Sequence, residues 1–167
     1  HHLEAAEQRY LETLRAHRER YGADDERTLL TMRRLASLYQ DQARYEDAEP
    51  LLAKVLESRR RTLGNDHEYT INAMRRLAYA LLRQRRFDAA NELYREAVDT
   101  QMRLYGPEDK RTMDALRWLA YGYQESRQLD KAERIIKDLI ETRERISGGD
   151  HPDALLYRSR LGFIYRA

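Results

Sequence analysis

Three arginines, Arg33, Arg75 and Arg117, follow one another at intervals of 42 residues. Four residues beyond the second and third of them come Tyr79 and Tyr121, and Phe163 continues that aromatic series at the same interval. Residues i and i+4 share one face of a helix, so Tyr79 and Tyr121 each neighbour a guanidinium, while Phe163 stands four residues beyond Ser159. A guanidinium takes a carboxylate through two parallel hydrogen bonds, and a ring beside it holds an apolar or aromatic anchor. That pairing suits an extended acidic segment or a chain-terminal carboxylate. Catalysis finds no comparable set. The sequence has no glycine-rich phosphate loop, no Ser/His/Asp or Cys/His constellation and no cluster at metal-ligand spacing, so no enzyme activity, no cofactor and no metal are expected. His67 and His151 lie 84 residues apart with no second ligand at i+4, and they read as turn caps.

The interval belongs to the whole chain. Gly22, Gly64, Gly106 and Gly148 repeat every 42 residues, as do Leu35, Leu77, Leu119 and Leu161, each followed by a small residue: Ala36, Ala78, Ala120 and Gly162. A fixed period of this size marks a stack of like supersecondary units, each burying its apolar face against its neighbours. Charged residues make up 36% and apolar ones 41%, with only seven Gly and three Pro among 167, which fits helices broken only at punctuation.

Two apolar stripes fill each period. Met32, Leu35, Ala36 and Tyr39 fall at i, i+3, i+4 and i+7 and recur as Met74, Leu77, Ala78, Leu81 and as Leu116, Leu119, Ala120, Tyr123. The second stripe is Ala48, Leu51, Leu52, Val55, Leu56, repeated from Ala90 and from Ala132. Ala36 opposite Ala48 lets two helix axes approach to about 8–10 Å. Short polar turns, Asp41 to Arg44, Arg83 to Arg86 and Glu125 to Gln128, join the two helices of a pair and make them antiparallel. Gly22, Gly64, Gly106 and Gly148 close the second helices, and Asp24, Asp66, Glu108 and Asp150 stand two residues on, where an acid favours the next helix start. The expected division is one array over 1–167: a lone second helix at about 3–24, complete pairs at 25–66, 67–108 and 109–150, and a lone first helix at 151–167. Both ends read as cut from a longer array. Arg158 occupies a slot held by Met or Leu elsewhere and predicts a frayed edge in the last helix.

The run Leu35-Ala36-Ser37-Leu38-Tyr39, a turn, then Tyr45-Glu46-Asp47-Ala48-Glu49-Pro50-Leu51-Leu52 resembles the tetratricopeptide repeat. The 42-residue period, with Leu63-Gly64-Asn65-Asp66-His67 and Gly148-Gly149-Asp150-His151-Pro152-Asp153, is similar to the kinesin-light-chain type. The resemblance covers the whole chain and implies an all-α fold, a right-handed α-solenoid of antiparallel helix pairs whose first helices line a concave groove. It departs from the family in two places. Glycines usual in the turn are replaced by Ala43, Arg85 and Arg127, which predicts remodelled turns or a cost of about 0.5–1 kcal/mol at each left-handed site. Asparagines common in the light-chain type give way to Arg33-Arg34, Arg75-Arg76 and Arg117-Trp118.

Carried over by register, the resemblance implies a groove lined by Leu30, Arg33, Ser37 and Gln40; by Asn72, Arg75, Tyr79 and Leu82; by Asp114, Arg117, Tyr121 and Gln124; and by Leu156, Ser159 and Phe163. With helices about 10 Å apart and an extended ligand rising about 3.3 Å per residue, neighbouring rungs would meet ligand side chains roughly three to six residues apart. The alternative is that the arginines pair with acids such as Asp114 and the aromatics pack between repeats. The expected function is a protein-interaction scaffold for an extended acidic segment. The rival is a self-assembling or intramolecular regulatory array that stacks through its open ends.

Nucleic acid is a weaker candidate. The charge balance is 31 basic against 29 acidic residues, and the runs Arg59-Arg60-Arg61 and Arg83-Gln84-Arg85-Arg86 sit at helix ends where the dipole favours cations. Of the 31 basic residues 27 are Arg, an excess that codon bias also produces. No apolar run approaches the roughly 18 residues of a membrane span, so no membrane partner is expected. The absence of cysteine fits a reducing compartment, and a cytoplasmic location is the corresponding expectation.

Overall fold

The computed structural model describes residues 2–149 and 151–166. Among the described residues there are eight α-helices and no strand. They are α1 (His2–Tyr21), α2 (Glu26–Asp41), α3 (Tyr45–Leu63), α4 (Glu68–Arg83), α5 (Phe87–Tyr105), α6 (Lys110–Glu125), α7 (Leu129–Ser147) and α8 (Pro152–Ile164). No helix is long and apolar enough to cross a membrane.

The chain divides into two compact units, His1–Gln84 and Arg85–Ala167. In the first, α1 packs on α2, α2 on α3 and α3 on α4. Its buried residues are those of the two stripes: Met32, Leu35 and Ala36 from α2, Ala48, Leu52 and Val55 from α3, Met74 from α4. In the second unit α5 packs on α6, α6 on α7 and α7 on α8. Met113, Ala120, Ala132, Ile136, Leu139, Tyr157 and Ile164 form one apolar cluster there. Ala36 and Ala48 are both wholly buried, as expected of small residues where two helices approach closely.

The intra-pair turns are not remodelled. Ala43, Arg85 and Arg127 keep the left-handed backbone, at φ 58°, 63° and 60°. In the first of them the Arg44 N–H reaches the Tyr39 carbonyl at 2.8 Å and the Ala43 N–H reaches that of Gln40 at 3.0 Å, the double closure that ends a helix with one left-handed residue. The Gln128 and Arg127 N–H groups repeat it on Tyr123 and Gln124 at 2.8 and 3.1 Å. These hydrogen bonds fix the conformation, and the side chains bear its cost.

The inter-pair turns need one adjustment. Their caps are one residue later than the acids Asp24, Asp66 and Glu108, at Asp25, His67 and Asp109, with His151 as the fourth. Each accepts the N–H two residues on: Arg27, Tyr69, Arg111 or Asp153. Asp150 lies outside the described residues. Thr28 and Thr70 donate to the Gly22 and Gly64 carbonyls at 2.8 and 2.7 Å, tying each glycine turn to the helix it precedes. Arg158 is exposed in its slot, yet it does not fray the helix. Its guanidinium holds Glu144 of α7 at 2.6 Å.

Candidate functional site

In the first unit, Arg33, Ser37 and Gln40 run along α2, and Asn72, Arg75 and Tyr79 run along α4; all are half-buried. Between them lies a cavity of about 120 Å³. Leu30 and Arg33 of α2 and Asn72 of α4 line it, together with Arg76 and Tyr69, and Leu29, Leu52 and Val55 contribute its apolar surface. Arg75 donates through Nη2 to Asn72 Oδ1 at 2.9 Å, and Arg76 through Nη1 to Ser37 Oγ at 3.3 Å. Arg76 Nε is buried with no partner. Burial, and after it the charges of Arg75 and Arg33, push the Arg76 guanidinium below its ordinary pKa. The acid lining the cavity, Glu26, is engaged by Arg59 at 2.5 Å.

Not every predicted groove residue faces open space. The Tyr79 ring stands edge-on to Tyr45, with centroids 6.3 Å apart, and so packs on α3. Gln40 Nε2 is buried without a hydrogen-bond partner.

In the second unit, Asp114, Arg117, Tyr121 and Gln124 share one stripe of α6 and are again half-buried. Arg117 Nη2 donates to Asp114 Oδ1 at 3.1 Å, so the acid answers the arginine of its own helix, three residues on. Trp118 stacks on Tyr94, with centroids 6.4 Å apart and planes at 17°, which makes it a packing residue. Tyr121 meets Trp118 edge-on at 6.2 Å and carries the Arg160 guanidinium over its ring at 5.7 Å. Phe163 is 57% exposed, with Arg166 5.0 Å from its ring centre.

Arg76 and Arg160 were missed from sequence. They share a register slot with Trp118, and burial lowers the pKa of both, helped by Arg75 and Arg33 in one case and by Arg117 in the other. The available signal was an arginine directly before the leucine of the stripe, Arg76 before Leu77 and Arg160 before Leu161. In the first of the two candidate nucleic-acid runs, Arg59 pairs with Glu26 and Arg61 pairs with Asp24. His67 and His151 cap α4 and α8 through Nδ1, which accepts the Tyr69 and Asp153 N–H groups at 3.1 and 3.2 Å.

The family described as Tetratricopeptide repeat is matched over residues 2–61, 27–103 and 112–153. The chain belongs to it. No curated protein matches the sequence. Two crystal structures of nearly identical TPR-like repeats of a Podosopora anserina kinesin light chain are similar, each with a TM-score of 0.88. They are 19% and 20% identical over 98% of this chain, which spans 77% and 78% of theirs. The crystal structure of BtubC (BKLC) from P. vanneervenii has a TM-score of 0.78 at 22% identity, covering 98% of this chain and 65% of that one. At these identities the likeness is one of fold: a tetratricopeptide helical-repeat array of the kinesin-light-chain kind. Tetratricopeptide repeats are interaction scaffolds that generally bind proteins or peptides, and this chain is such a scaffold.

Proposed function

We propose that the first-helix faces bind an extended acidic segment of a partner protein. In the first unit the binding residues are Arg33, Ser37, Gln40, Asn72, Arg75 and Tyr79, with Tyr79 acting chiefly by holding the wall against Tyr45. In the second unit they are Asp114, Arg117, Tyr121, Gln124 and Phe163. The observation that carries the reading is in the first unit. Arg33 and Arg76 line one cavity, and neither has a carboxylate partner among the described residues. A half-buried guanidinium without an anion is costly, and an incoming carboxylate supplies what the fold leaves out.

The test is fluorescence anisotropy with labelled peptides rich in Asp and Glu. Arg33→Glu is expected to weaken binding about tenfold or more, as reversing one charge beside the ligand should. Arg95→Glu, on the exposed side of α5, is expected to leave it unchanged. Equal affinities for wild type and Arg33→Glu would refute the assignment.

A second reading has its own support. Leu155 of α8 is 52% exposed, whereas Leu29 and Met113, which hold the same register position, are each 1% exposed. Leu156 and Phe163 extend that apolar surface. Self-association or docking of a parent segment through α8 would bury it. Concentration-dependent mass by light scattering, abolished by Leu155→Glu, is the outcome this reading requires.

A further inference from the structure

We infer that the cavity between α2 and α4 is a phosphoryl pocket, and that the segment it takes carries a phosphorylated side chain rather than carboxylates alone. The inference rests on the acidic-segment reading and sharpens it. Three guanidiniums line the cavity, those of Arg33, Arg59 and Arg76, and its acid, Glu26, is already paired with Arg59 at 2.5 Å. Two positive charges remain. Arg76 makes one hydrogen bond, a long one to the neutral Ser37 hydroxyl, and its Nε is buried without an acceptor. Its pKa is lowered first by burial and then by the like charges of Arg75 and Arg33.

A carboxylate would cancel one of those charges and leave the other without an anion. A phosphoserine or phosphothreonine brings a charge of about −1.5 to −2 at pH 7 and three acceptor oxygens, enough for both guanidiniums. Asn72 lines it as a neutral polar group, and Leu29, Leu52 and Val55 offer an apolar surface to the carbon atoms that carry the phosphate. The space of about 120 Å³ suits one side chain and not a nucleotide.

The experiment uses the full chain and three small probes followed by calorimetry or NMR: N-acetyl phosphoserine amide, N-acetyl glutamate amide and inorganic phosphate. The capped phosphoserine is expected to bind at least fivefold more tightly than either of the others. That preference is expected to vanish in Arg76→Gln and in Arg33→Gln, both checked for helix content and unfolding temperature. Arg33 lies half-exposed on the surface, so its variant stands as a reporter even where Arg76→Gln perturbs packing. Equal binding of capped phosphoserine and capped glutamate would overturn the inference, as would a preference that survives both substitutions. Inorganic phosphate binding as tightly as the capped residue would make this a free-anion site and overturn the peptide assignment. The Asp- and Glu-rich peptides are titrated on the same samples. If they bind while the phosphoryl preference is absent, the pocket fails and the acidic-segment reading stands; if they too fail, both fall.

Discussion

Gly122 sits in the middle of α6 where a Cβ would run into Asn91 Oδ1 and stand 3.1 Å from the Tyr94 ring. Helix propensity alone favours Gly122→Ala by roughly 1 kcal/mol. Packing opposes it. Asn91 is held in place by its hydrogen bond to Ser126 Oγ at 3.1 Å, and Tyr94 is 1% exposed, so neither yields cheaply. Overpacking of this kind costs about 1–3 kcal/mol, and the net expectation for Gly122→Ala is a loss of about 1 kcal/mol, read as a drop of a few degrees in unfolding temperature. An increase would mean that the approach of α5 to α6 is looser than described.

Asp109 gives the residue scale its pH dependence. It accepts the Arg111 backbone N–H at 2.8 Å and two guanidinium N–H groups of the same residue at 2.9 and 3.0 Å, and these hold its pKa down at about 2. The side-chain hydrogen bonds are the larger cause. A depressed carboxylate contributes stability that is present above its ordinary titration range and is lost as pH falls towards 2. Glu7, held down chiefly by the Arg44 guanidinium, acts in the same direction. Thermal unfolding followed from pH 5 to pH 2 is therefore expected to show a stability difference between wild type and Asp109→Asn that shrinks on acidification. A gap that widens would contradict the pairing.

At the scale of elements, the turns after α2 and α6 take the second of the two outcomes the sequence left open, a left-handed backbone kept without glycine. Ala43 and Arg127 adopt a conformation that glycine enters freely and other residues enter at a cost. Ala43→Gly and Arg127→Gly are each expected to stabilise by about 0.5–1 kcal/mol in chemical denaturation, because the hydrogen bonds to Tyr39 and Tyr123 stay as they are. No change in midpoint would mean that the strain is relieved elsewhere.

Helix boundaries were legible because polar turns and glycines recur in phase with the apolar stripes, so Asp41, Arg83 and Glu125 end helices as read. His67 and His151 were legible as caps, whereas the caps of α2 and α6 fall at Asp25 and Asp109, one residue beyond the acids singled out. Asp24 and Asp25 are adjacent carboxylates, and only backbone geometry shows that Asp25 receives the Arg27 N–H. The cavity was half legible. Register brought Arg33 and Asn72 to it, whereas Arg76 and Tyr69 line it from positions outside the groove register. Tyr79 was counted on the same wall, but its ring answers to Tyr45 on another helix.

At the scale of the whole molecule, 31 basic and 29 acidic residues leave a small net charge, so no long-range field selects a partner. Selection falls to places where charges are locally unmatched. Arginines near helix ends can be answered across helices, as Arg59 is by Glu26 and Arg143 by Asp153 at 3.2 Å. Arg33 and Arg76, in the middle of first helices, have no carboxylate partner among the described residues. In a repeat protein each unit is stabilised mainly by its neighbours, so the exposed faces of equivalent helices are free to differ in chemistry without loss of fold. The central claim is thus about faces, and chemical-shift mapping of the isotope-labelled protein with an Asp- and Glu-rich peptide addresses it most directly. The account predicts perturbations concentrated on α2, α4 and α6, with the Arg33 and Arg76 side-chain resonances among the largest. Perturbations gathered instead on the outer residues of α3, α5 and α7 would contradict it.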